Sequence, residues 1–124
     1  MNNKIGEMAW LDITVDDAES LRDFYQNVIG WKAEPVSMGE YDDFTMMPIE
    51  GDQPAAGICH ARGGNADLPP QWLPYFLVKD IDKSCQSVVD GGGKLVTPIK
   101  TMGADKYAVI QDTAGAACAL YQKG

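Results

Sequence analysis

Asp12 is the residue of this chain best placed to move a proton. It lies in Trp-Leu-Asp-Ile-Thr-Val (residues 10–15), where Leu11, Ile13 and Val15 alternate with Trp10, Asp12 and Thr14. Successive side chains of a strand point to opposite faces, so one face here is purely apolar. The other carries an indole, a carboxylate and a hydroxyl. A carboxylate set among aromatic rings is poorly solvated when charged, which makes it a candidate general base. The matching place in the second half of the chain holds a phenol. Tyr75 lies three residues before Val78, as Asp12 lies three before Val15. In that role Tyr75 would orient a substrate while Asp12 takes its proton.

The remaining reactive side chains argue for less. His60 is the one histidine, so it cannot build a multi-histidine metal site within one chain. Alternation turns it away from Gly57 and Cys59, and the expected role is packing at the surface or against a linker. Cys59 shares the parity of Gly57, but a nucleophilic cysteine needs a neighbour that stabilises its thiolate. Adjacent strand residues point apart, so His60 does not serve, and Cys59 reads as a small buried apolar group. The run Gly91-Gly92-Gly93 ends a helix, whereas phosphate loops precede one.

The elements that position these residues come in two copies. Asp17 stands at a helix N-cap, and Ala18, Leu21, Phe24, Tyr25, Val28 and Ile29 form one apolar stripe before the stop at Gly30. Adding 63 to Val15, Asp17 and Gly30 gives Val78, Asp80 and Gly93. Ile81, Cys85, Val88 and Val89 make the apolar side of the second helix. Strand-like runs follow each helix, at 32–38, 41–48 and 55–61 and again at 94–98, 105–111 and 116–122. Each copy therefore reads as βαβββ, an α+β unit with one helix on one face of a four-stranded sheet. The expected boundaries are about 5–61 for the first module, 62–70 for a Gly- and Pro-rich linker and 71–124 for the second. Both belong to a single domain, because 124 residues are too few for two independent cores.

Composition narrows the function classes. With 45% hydrophobic and 23% charged residues the chain is that of an ordinary globular protein. Its net charge of −8 opposes binding to nucleic acid. Residues 1–62 hold 4 basic and 12 acidic side chains against 6 and 6 in residues 63–124, a solvated acidic surface. No apolar run is long enough for a signal peptide or a membrane span. Three cysteines without metal-type spacing read as reduced thiols, and the expected location is cytoplasmic.

The stretch VDDAESLRDFYQNVIGW (15–31), the repeated Val-x-Asp of Val78–Asp80 and the closing IQDTAGAACALY (110–121) resemble the vicinal oxygen chelate superfamily, which includes glyoxalase I, bleomycin-resistance proteins and extradiol dioxygenases. The resemblance covers essentially the whole chain. It implies two βαβββ modules forming a curved mixed sheet around a cavity, with the helices outside, and a homodimer completing the site. Trp10, Asp12, Thr14, Gly57 and Cys59 would then line the cavity together with Leu73, Tyr75, Leu77, Tyr107, Ala119 and Tyr121. The superfamily's enzymes hold a divalent metal at places that fall here on Trp10, Leu73, Ala119 and about Gly57. None of these offers an imidazole, carboxylate or thiolate, so no metal and no other cofactor is expected. AAGI (55–58) and QWLPYF (71–76) bring the chain nearer to metal-lacking, single-domain bacterial members described as glyoxalase-like. The function implied is metal-independent binding of a small, partly aromatic or carbonyl-bearing molecule. The alternative is a lyase or isomerase with Asp12 as general base.

Overall fold

The computed structural model describes residues 3–124. Two compact units make up the chain. One is Leu11–Trp72, here the N-terminal unit; the other joins the residues up to Trp10 to Leu73–Gly124 and is the C-terminal unit.

The N-terminal unit contains most of β1 (Met8–Val15), then α1 (Ala18–Val28), β2 (Lys32–Ser37), β3 (Asp42–Met47) and β4 (Ala56–His60). Its strands run in the order β2-β3-β4-β1. β1 and β4 are parallel and set Asp12 beside Gly57 and Thr14 beside Cys59, while the other pairs are antiparallel. Asp17 starts α1 by accepting the Ser20 N–H at 3.0 Å. Gly30 ends it at φ +87°, where a Cβ would also come within 3.0 Å of Ile49 Cδ1. Ala18, Leu21 and Tyr25 of the α1 stripe pack on one face of the strands, whereas Phe24, Val28 and Ile29 stay exposed. Ile13, Ala18, Phe44, Met46 and Ile58 form the buried centre, with Val15, Leu21 and Tyr25 against it. Trp72, just after the linker, donates its indole N–H to the Tyr25 hydroxyl at 3.0 Å and ties the end of the unit to the helix.

The C-terminal unit contains β5 (Leu73–Leu77), α2 (Ile81–Asp90), β6 (Lys94–Leu95), β7 (Lys100–Met102), β8 (Asp105–Gln111) and β9 (Ala117–Gln122). β5 runs parallel to β9, and β8 lies antiparallel to β9. Backbone bonds tie Gly6 and Glu7 to Leu77 at 2.8 and 2.9 Å. Asp80 caps α2 through the Lys83 N–H at 3.2 Å, the counterpart of Asp17. Ile81, Cys85, Ala108, Ile110 and Leu120 form the core beneath the helix. Each unit thus sets one helix on one face of a sheet, the α+β arrangement expected.

The repeat departs from strict copying in two places. The offset puts the second helix stop at Gly93, but the left-handed residue is Gly92, at φ +94°. Gly93 serves close packing instead, since a Cβ there would meet the Gln111 carbonyl at 2.7 Å. The edge strand expected at 94–98 is also split into β6 and β7, both on β8. The N–H groups of Val96 and Thr97 both reach the Val109 carbonyl, at 2.8 and 3.1 Å, so two residues face one as in a bulge. Pro98 follows with no N–H to give, and pairing resumes only at Lys100.

Candidate functional site

In the N-terminal unit the strand face turned away from α1 gathers polar groups. Asp12 and Thr14 come from β1, Gly57 and Cys59 from β4, brought together by the parallel register. Thr14 is buried at 2% exposure and Asp12 is half-buried. β3 adds a residue that the sequence reading passed over. Asp43 is only 8% exposed, and its Oδ1 accepts the His60 backbone N–H at 2.8 Å. The His60 Nδ1 lies 3.4 Å from the same oxygen. Asp43 also hydrogen-bonds the Cys59 thiol.

Cys59 is therefore held as a thiol. Burial pushes its ionisation far above the ordinary range, and the charges of Asp12 and Asp43 and the bond to Asp43 push the same way. A thiolate nucleophile is disfavoured there, and Cys59 offers a weak donor and soft packing surface. The His60 side chain is largely shielded from solvent, and its carbonyl accepts the N–H of Arg62, the first linker residue, at 2.9 Å. Its ring packs edge-on to Tyr41 at 5.3 Å and near Phe44 at 6.4 Å between centroids. The Arg62 guanidinium lies over the Tyr41 ring, 4.3 Å from its centroid. The helical aromatics divide. Tyr25 packs against Trp31 and Trp72, whereas Phe24 is more than half exposed.

In the C-terminal unit the face away from α2 is aromatic. Tyr75 pairs with Ala119 and Leu77 with Tyr121 along β5–β9, and Tyr107 pairs with Tyr121 along β8–β9. The Tyr75 ring lies 6.3 Å from that of Tyr107 and 6.5 Å from that of Tyr121. Leu73 and Ala119 have no exposed surface, and Tyr75 and Leu77 have little. Ala119 therefore leaves no open volume, and the half-buried side chains on this face are Tyr107 and Tyr121, with Ala117 beside them. Trp10, also half-buried, groups with this unit. The Tyr121 hydroxyl donates to Asp105 Oδ2, and the Gly124 N–H donates to Asp105 Oδ1 at 2.8 Å. Burial and this partner push the Tyr121 phenol up to about 12. Asp105 titrates below the usual carboxylate range, chiefly through the Gly124 N–H and then through Tyr121.

A separate cleft of about 350 Å³ opens on the helix side of the N-terminal unit, lined by Glu19, Arg22, Asp23, Gln26, Asp42 and Phe44 among others. Arg22 lies 4.6 Å over the Phe44 ring and pairs with Asp23 at 2.9 Å. Among the described residues no three His, Cys, Asp or Glu side chains cluster as metal ligands. No helix there is long and apolar enough to cross a membrane.

Two βαβ-based units with parallel β1–β4 and β5–β9 pairs match a known family over nearly the whole chain. Residues 7–120 fit the model of the glyoxalase/bleomycin resistance protein/dioxygenase superfamily. The chain belongs to this superfamily. It is 32% identical to the anthracycline biosynthesis protein DnrV of Streptomyces peucetius, over 96% of this chain and 48% of that protein. It is also 32% identical to the putative glyoxylase CFP32 of Mycobacterium tuberculosis, over 94% of this chain and 46% of that protein. The chain thus spans about half the length of the curated relatives it matches. A superfamily member from Vibrio splendidus shares the fold at TM-score 0.59 and 13% identity, over 92% of this chain and 97% of that one. So does methylmalonyl-CoA epimerase from Mycobacterium tuberculosis, at TM-score 0.55 and 16% identity, over 100% and 93%. The metal that many superfamily enzymes use does not fit this member's residues. Trp10, Leu73, Ala119 and, at about the fourth place, Gly57 present no imidazole, carboxylate or thiolate to hold one.

Proposed function

We propose that this superfamily member binds a small, partly aromatic or carbonyl-bearing molecule on the strand faces turned away from its helices, with neither metal nor organic cofactor. The observation that carries the reading is the gathering of Asp12, Thr14, Cys59 and Asp43 on one such face, with two of these residues nearly inaccessible to water. Withdrawing Asp43 from water, and Asp12 in part, costs free energy that is tolerated where something is gained from it. A binding site supplies that gain. The half-buried Tyr107 and Tyr121 give the other unit's face the flat apolar surface an aromatic ring would use. The protein acts as a cytoplasmic homodimer in this reading.

A lyase or isomerase is the second reading, favoured by Asp12. Its charge opposes ionisation of Cys59, so a carboxylate base and a protonated thiol stand close together on one face. Asp12 would take a proton from carbon beside a carbonyl and return it. Methylmalonyl-CoA epimerase shares the fold and one relative is named for anthracycline biosynthesis, and both names accord with an enzyme reading.

Native mass spectrometry of protein taken directly from cells tests the proposal. The expected spectrum is a dimer carrying a small organic molecule that is released on denaturation. A monomer with no adduct, across several growth conditions, would count against both the ligand and the dimer.

A further inference from the structure

Tyr121 has its one proton already committed. A phenol carries a single O–H, and that of Tyr121 points to Asp105 Oδ2. Asp105 cannot answer as a donor. Its other oxygen takes the Gly124 N–H at 2.8 Å, and both bonds favour the ionised carboxylate, an acceptor only. The direction of the hydrogen bond is thereby fixed. What the Tyr121 oxygen has left is lone pairs, at the edge of a half-buried ring that lies 6.5 Å from Tyr75. Tyr107 is its cross-strand neighbour and supplies a second ring on the same face.

We infer that Tyr121 is a specificity-determining residue that selects an aromatic ligand bearing a hydroxyl, because its oxygen accepts a hydrogen bond and has no proton to give. Asp105 is the positioning residue behind it. The inference rests on the proposed binding at the strand faces turned away from the helices and adds the chemical class of the ligand. A ring carrying a free hydroxyl donates to Tyr121. The same ring carrying only an ether or carbonyl oxygen at that edge sets acceptor against acceptor and leaves a desolvated oxygen without a partner.

The probes are 2-naphthol and 2-methoxynaphthalene, which share a ring system and differ in one donor. Their dissociation constants are measured by calorimetry on the intact chain, and binding is located by the Tyr ring resonances in NMR. The expected result is a preference for 2-naphthol of about fivefold or more, with Tyr121 resonances shifted. In Tyr121→Phe the preference falls to about one. In Asp105→Ala, where the phenol proton is released to serve either ligand, it shrinks because 2-methoxynaphthalene gains. The readout is a ratio within each variant, so a general loss of structure does not imitate it. Equal binding of the two compounds to the wild type, or a preference that survives in Tyr121→Phe, overturns the inference and leaves the binding reading standing. Binding of neither compound would overturn both.

Discussion

Replacing Ile13 with alanine should separate the structural face of β1 from its functional face. Ile13 is 6% exposed, sits beside Ile58 in the parallel register and joins Ala18, Phe44 and Met46 in the core beneath α1. The substitution removes three carbons. At about 0.8 kcal/mol for each buried carbon group the transfer loss is roughly 2.4 kcal/mol. The residual cavity adds to that, because two strands and a helix N-terminus surround the site and cannot all close in. A total of about 3–4 kcal/mol is expected, within the range of buried large-to-alanine changes. Urea unfolding followed by circular dichroism is the assay, with the midpoint falling and the slope unchanged. At roughly 4 °C per kcal/mol for a domain of this size, the melting temperature should fall by about 12–16 °C. A loss below about 1 kcal/mol would mean that Ile13 is not a core residue, and the assignment of the two faces of β1 would be refuted.

Asp12→Asn should do the reverse. Stability is expected to hold or rise slightly, since a half-buried carboxylate loses its desolvation cost, while ligand binding or turnover is lost. A melt as damaged as that of Ile13→Ala would make Asp12 a structural acceptor. Cys59 should react slowly with iodoacetamide at pH near 8, and Asp43→Asn should accelerate it severalfold by removing both a charge and a hydrogen-bond partner. An unchanged rate, read by mass spectrometry of the alkylated peptide, would contradict the Asp43–Cys59 contact. The Tyr121–Asp105 pair should shape stability at both ends of the pH scale. The raised phenol contributes stability that is complete below about 10 and is lost as pH climbs through about 12. The depressed Asp105 contributes stability present above the ordinary carboxylate value of about 4 and lost as pH falls through its lowered value. Thermal melts of wild type and Asp105→Asn across pH should show both limbs flattened in the variant, and parallel curves would refute the pairing.

Much of this arrangement was legible in local chemistry. Asp17 and Asp80 announce helix starts because a short carboxylate can reach the N–H three residues on, at Ser20 and Lys83. The 63-residue offset follows from those caps and the apolar stripes behind them. What failed to show depends on partners distant in sequence. Gly93 carries the local marks of a helix stop, but the approach of β8 is what demands a glycine there, and the break at Thr97–Pro98 is a bulge defined by Val109. Asp43 escaped notice although it alternates with Phe44 on β3, because its value comes from Cys59 and His60 across the β3–β4 register. The burial of Leu73 and Ala119 was equally hidden, since strand parity gives a face and says nothing of what covers it.

Binding of ligands on the strand faces away from the helices can be read residue by residue from backbone amide NMR with 2-naphthol. Shifts are expected at Thr14 and Cys59 in one unit and at Tyr107 and Tyr121 in the other, with the helices quiet. Shifts confined to Glu19, Arg22, Gln26 and Phe44, which line the cleft beside α1, would contradict it.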